Sequence, residues 1–150
     1  MTSLLRSTVF AFVATFVHAV GLCQTQALAD IQATRKASEG IVASVAAGNY
    51  AGALKELRPL SVIPSTEFDV FEAQFNSQQV NLLRQFGSST GYEYLRSDNL
   101  GTRLVRQQFL VFHEKGALRW TFIFYQAEKG WVMSHFIFDG NALTFFAGGA

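Results

Sequence analysis

The 150 residues carry 12 Lys plus Arg against 11 Asp plus Glu, a net charge of +1, which gives no steering field toward nucleic acid or an anionic membrane. One cysteine and three histidines exclude an internal disulfide framework and argue against a dedicated zinc site. Fifteen phenylalanines and only two prolines are too much apolar aromatic mass for a disordered chain; they imply a large aromatic core, a lined cavity or a buried subunit interface.

Residues 1–29 carry the pattern of a secretory signal peptide. Arg6 precedes the apolar run Val9 to Val17, and the segment closes on Ala27-Leu28-Ala29, the small-x-small pattern that a signal peptidase cuts. The run is shorter than the roughly 20 residues of a bilayer span. Leu22 before Cys23 is a poor context for lipid modification. The expectation is therefore an exported chain, periplasmic or secreted, with no membrane attachment after cleavage. Residues 30–150 then form a single domain of about 120 residues around one core.

The domain begins in a helical pattern. Ile31, Thr34, Ala37, Ser38, Ile41 and Val45 recur at helical spacing, with Asp30 placed to cap and Gly48 to terminate. Tyr50 to Leu57 predicts a short second helix stopped by Pro59. A third helix starts within Ile63–Phe68, capped by Ser65 or Thr66, and places Phe68, Phe71 and Phe75 on one face. The polar stretch Asn76-Ser77-Gln78-Gln79 is expected to bend or break it. Gly87 to Gly91 punctuates a loop.

Beyond Gly91 the pattern turns to strands: Tyr92–Arg96, Thr102–Glu114, Ala117–Ala127, Trp131–Asp139, and a terminal strand at Ala142–Phe146. Glu114-Lys115-Gly116 and Glu128-Lys129-Gly130 are taken as three-residue loops with a glycine bulge, giving an antiparallel meander. That register pairs His113 with Ala117 and Ala127 with Trp131. Gln107, Ile123 and His135 then form one row across three strands, and Arg119 faces Asp139. One face carries Val105, Gln107, Phe109, Thr121, Ile123, Tyr125, Met133, His135 and Ile137. The other carries Leu104, Leu110, Phe112, Leu118, Trp120, Phe122, Phe124, Val132, Phe136 and Phe138. Neither is polar enough for open water, and a slip of one residue would exchange the sets for a strand.

Helices followed by a long-stranded antiparallel sheet, with Gly48-Asn49-Tyr50-Ala51-Gly52-Ala53-Leu54 at a helix junction and Gly130-Trp131-Val132-Met133 opening the last long strand, resemble the nuclear transport factor 2-like superfamily, also called ketosteroid-isomerase-like or cystatin-like. The resemblance implies an α+β domain, N-terminal helices on a curved antiparallel sheet, shaped as a cone with a pocket. It also implies dimerisation through the outer sheet face. It implies no particular activity, since the fold hosts many.

His135 is the candidate catalytic residue, a general base among apolar neighbours, and Gln107, Tyr125 and His135 are the candidate ligand-binding set. No second acid near His135 is evident to complete a catalytic pair. Arg119 with Asp139 reads as a cross-strand ion pair. His113 reads as solvated turn chemistry, Tyr92 and Tyr94 as edge-strand packing. Arg103 and Arg106 fall on opposite faces of one strand and make no nucleic-acid stripe. No nucleophile triad, phosphate loop or metal motif occurs, and neither cofactor nor metal is expected. The function expected is a non-catalytic exported domain that binds a small apolar ligand or an envelope protein and forms a homodimer. The alternatives are a cone-pocket isomerase, dehydratase or hydrolase using His135, and a structural dimer module of the envelope.

Overall fold

The computed structural model describes residues 25–146 as α1 (Ile31–Ala46), α2 (Tyr50–Leu57), a 3₁₀ turn (Arg58–Leu60), α3 (Ser65–Phe86), β1 (Ser89–Leu100), β2 (Leu104–His113), β3 (Gly116–Ala127), β4 (Gly130–Asp139) and α4 (Ala142–Phe145). The expected leader falls almost wholly outside the described residues. The fold is α+β: the large helices precede a curved, unclosed antiparallel sheet of order β1-β2-β3-β4.

The helices form where local chemistry favours them. The Asp30 carboxylate accepts from Ala33 N–H at 2.7 Å and caps α1, which buries Thr34, Ser38, Ile41, Val42 and Val45. Gly48 follows with φ +75, a conformation that suits a residue without Cβ. Asn49 caps α2 through Gly52 N–H. α3 starts within the expected stretch, but Pro64 rather than Ser65 or Thr66 is its cap residue, and no side chain caps it. Arg58 secures its first turns instead, with Asp69 2.7 Å away, Glu72 also bonded, and the Phe68 ring under the guanidinium.

α3 runs unbroken through Asn76-Ser77-Gln78-Gln79, correcting the expected bend. These residues point largely to solvent, where their polarity costs the helix little. The expected terminal strand is the short helix α4. Thr144 holds it, donating to Asn141 O at 2.8 Å while its carbonyl accepts from Arg119 at 2.8 Å. A five-residue apolar run does not distinguish the two outcomes by periodicity.

Both hairpins close one residue earlier than expected. His113 pairs with Gly116 and Ala127 with Gly130, so each connection has two residues and the glycine opens the following strand. In β2–β3 the slip persists: Gln107 faces Phe122 and Phe109 faces Trp120. In β3–β4 an irregularity at Ser134 absorbs it, so Ile123 faces His135, Thr121 faces Ile137 and Arg119 faces Asp139, as expected. Val105, Gln107, Phe109 and Met133 therefore join Trp120, Phe122 and Phe124 on the inner face. Leu104, Leu110, Phe112 and Val132 move to the outer one.

The inner face packs on the helices. Val42, Phe68, Phe109, Val111, Phe122, Phe124 and Met133 are fully buried. The interior is filled: the void among Ile41, Leu57, Phe71 and Trp120 measures about 10 Å³, space for roughly one water. Residues 25–29 lie along the edge of β4. Leu28 and Trp131 exchange two backbone hydrogen bonds of 2.8 Å, and Gln26 N–H donates to Pro59 O. Gly130 makes this approach possible, because a Cβ there would lie 2.5 Å from Leu28 O.

Candidate functional site

α3 touches the sheet near its middle and at its C-terminal end. At the first, Phe71 packs edge-on against Phe136 with ring centroids 4.9 Å apart, and Phe75 against Phe138 at 5.6 Å. At the other, the Phe86 ring fits against Gly140, where a Cβ would come within 2.6 Å of it, and Phe86 O accepts from Lys115 N–H at 2.9 Å. From Phe75 to Phe86 is 11 residues, roughly 16 Å of helix. Along this stretch Leu82 is the packed residue, while Val80 and Leu83 are exposed.

An open cleft of about 700 Å³ lies between this half of α3 and the sheet. Its apolar side is Phe75, Leu82, Phe86, Leu118 and Phe138. Its polar side is Gln78, Gln79, Asn81 and Gln85 from α3, with Asn141 from the segment after β4. Gln78 and Gln79 stand at positions i+3 and i+4 from Phe75, and Leu82 and Phe86 at i+7 and i+11, so amides and apolar groups share one helical face. Asp139 adds the only ionisable residue of the lining. Its carboxylate is held by Arg119 at 3.0 Å, with Thr144 Oγ1 3.3 Å away.

The residues expected to form the site are not brought together. Gln107 is fully buried on the inner face, and its Nε2 donates to Thr34 Oγ1 at 3.1 Å. Its Oε1 has no partner among the described residues. Tyr125 and His135 lie on the outer face. Tyr125 is 38% exposed with Arg103 over its ring, and His135 is exposed beside Ile123. The row of Gln107, Ile123 and His135 is thus corrected. It depended on pairing His113 with Ala117, and the two-residue turn turns Gln107 to the opposite face.

His113 also departs from expectation: it is buried, not solvated. Its Nδ1 lies 3.0 Å from Gly87 O, and since a carbonyl only accepts, Nδ1 carries the proton. The ring ties the end of α3 to the β2–β3 turn. Arg119 and Asp139 pair as expected, on the outer side at the end of the strands.

The outer face combines ion pairs and exposed apolar groups. Arg106 bonds Asp98 at 2.8 Å, and Gln108 Nε2 donates to Thr121 Oγ1 at 3.1 Å. Ile137, Tyr125 and Phe112 are exposed around them. Among the described residues no cluster of three or more His, Cys, Asp or Glu is placed to hold a metal ion, and no helix is long and apolar enough to cross a membrane.

The cleft amides were not recognised in the sequence. Their signal was the polar interruption after Phe75: once the helix continues, Gln78 and Gln79 fall on the face that Phe75, Leu82 and Phe86 define.

No family model matches the chain, and neither a curated protein nor a solved structure matches it.

Proposed function

We propose that this chain is an exported, non-catalytic binding module that takes a small ligand in the cleft between α3 and the end of the sheet. One observation carries the reading: a cleft of about 700 Å³ lined by aromatic and aliphatic groups interspersed with five carboxamides. Pockets of this size suit small molecules, with apolar surface for affinity and a few polar groups for orientation. The N-terminal leader pattern in the sequence, Arg6 followed by an apolar run, supports export to the periplasm or beyond. The helices-then-meander order supports the resemblance to the nuclear transport factor 2-like superfamily. His135 sits across the sheet from the cleft, so the reading draws no general base from it.

A second reading concerns assembly. Ile137, Tyr125 and Phe112 expose apolar surface on the outer sheet face, which favours a second copy of this chain as its cover. The two readings are compatible, because the cleft opens on the other side.

Ligand-detected NMR with a fragment panel tests the cleft. Replacing exposed Gln78 by Trp would fill its mouth without entering the core. Hits that bind the native protein and are lost in Gln78→Trp support the reading. Hits indifferent to the substitution, or none at all, overturn it.

A further inference from the structure

Resting on that reading of the cleft, we infer that its ligand is a neutral, polyhydroxylated ring compound: a saccharide. Three features of the lining select this chemistry.

The first is charge. The lining contains no lysine or arginine, and its one ionisable residue, Asp139, has its carboxylate paired with Arg119 on the outer side of the sheet. A fatty acid or phosphate ester would bring an anion to a site with no cation of its own. A cationic ligand would find a carboxylate already neutralised. An uncharged ligand meets neither cost.

The second is hydrogen bonding. Gln78, Gln79, Asn81, Gln85 and Asn141 make no side-chain hydrogen bond among the described residues. Each offers two N–H donors and a carbonyl acceptor. A hydroxyl group is likewise both donor and acceptor, so neighbouring hydroxyls on a ring match a carboxamide in both senses. A hydrocarbon ligand would leave these amides with water as their partner and gain no hydrogen bond from them.

The third is the apolar side. Phe86 and Phe138 are half-buried and Leu82 and Leu118 flank them. A sugar ring presents C–H bonds on its faces, and their slight positive charge suits the negative face of an aromatic ring. Amides and apolar groups alternate along α3, with Leu118 and Phe138 across the cleft, so the lining addresses both the edge and the face of a ring. The length of helix between Phe75 and Phe86 suits two such rings in line.

The test is a ¹⁵N–¹H titration of the full folded domain with maltose, cellobiose and N,N′-diacetylchitobiose, beside 1-decanol and decanoate. At least one disaccharide should move the side-chain NH₂ resonances of Asn81, Gln85 and Asn141, with a Kd on the order of 1 mM. The double variant Asn81→Ala, Gln85→Ala should weaken that binding about tenfold or more. Its denaturation midpoint should stay unchanged, because both residues are exposed. Disaccharide binding that the double variant leaves intact overturns the inference. Cleft binding by decanol or decanoate alone overturns the saccharide and leaves the cleft as the ligand seat. No probe in the cleft overturns both.

Discussion

Gln107 on β2 reaches Thr34 on α1, its Nε2 donating to the threonine Oγ1 at 3.1 Å, with both side chains fully buried. Thr34 Oγ1 in turn donates to Ile31 O, and Ser38 Oγ donates to Thr34 O. This polar contact crosses the layer between helix and sheet and fixes how α1 seats on β2. Gln107→Ala should destabilise by about 2–4 kcal/mol, since it leaves a cavity and removes the bond. Gln107→Leu should cost less than about half of that, because the side-chain volume is kept and an unpaired buried Oε1 disappears. Urea denaturation of the two variants checks the order; equal losses would contradict it.

Phe122 is fully buried at the centre of β3, with the Phe109 ring 6.3 Å away and Trp120 at 6.2 Å. Phe122→Ala should cost about 3–5 kcal/mol. Ile137→Ala on the exposed outer face should cost about 1 kcal/mol or less in the monomer. Chemical denaturation at dilute concentration separates them, and a Phe122 loss no greater than that of Ile137 would mean that the faces are reversed.

Leu28 and Trp131 exchange two backbone hydrogen bonds, and Gln26 bonds Pro59. A chain beginning at Thr25 should therefore be more stable than one beginning at Asp30, by about 1.5–4.5 kcal/mol for the three bonds at 0.5–1.5 kcal/mol each. Comparing the thermal midpoints of the two chains checks this. Equal midpoints would show that the segment adds nothing to the fold.

Burial pushes the Tyr50 phenol above its ordinary 10.0. The folded state then holds the phenolic proton more tightly than the unfolded one. The corresponding stability is present in full below pH 10 and is lost as pH rises through the folded value. Stability measured by denaturant at pH 9 and pH 11 should fall more for the native protein than for Tyr50→Phe. Parallel losses would place the alkaline sensitivity elsewhere.

The sequence made the elements legible where composition and punctuation agreed. α1 follows its cap and apolar stripe, α2 its apolar face, and β2, β3 and β4 follow alternation between short turns, whereas β1 spans Ser89–Leu100 rather than the expected Tyr92–Arg96. Register was not legible, because one glycine decided it. Counting Gly116 in the loop rather than in β3 moved Gln107 from the inner face to the outer one, and with it the expected pocket. The same miscount at Gly130 left the far end of β4 correct only because the irregularity at Ser134 restored the pairing of Ile123 with His135. The cleft escaped detection for a different reason. It is formed by tertiary packing of Phe86 against Gly140, far apart in the chain, and no local pattern announces that contact.

The central claim is that the ligand seat lies under α3 and not on the outer face of the sheet. Mapping backbone and methyl shifts as a fragment hit is titrated measures this directly. The account predicts that the largest shifts fall on Leu82, Phe86, Leu118, Phe138 and Asn141. Shifts centred on Ile123, Tyr125 and His135, with the cleft residues still, would contradict it.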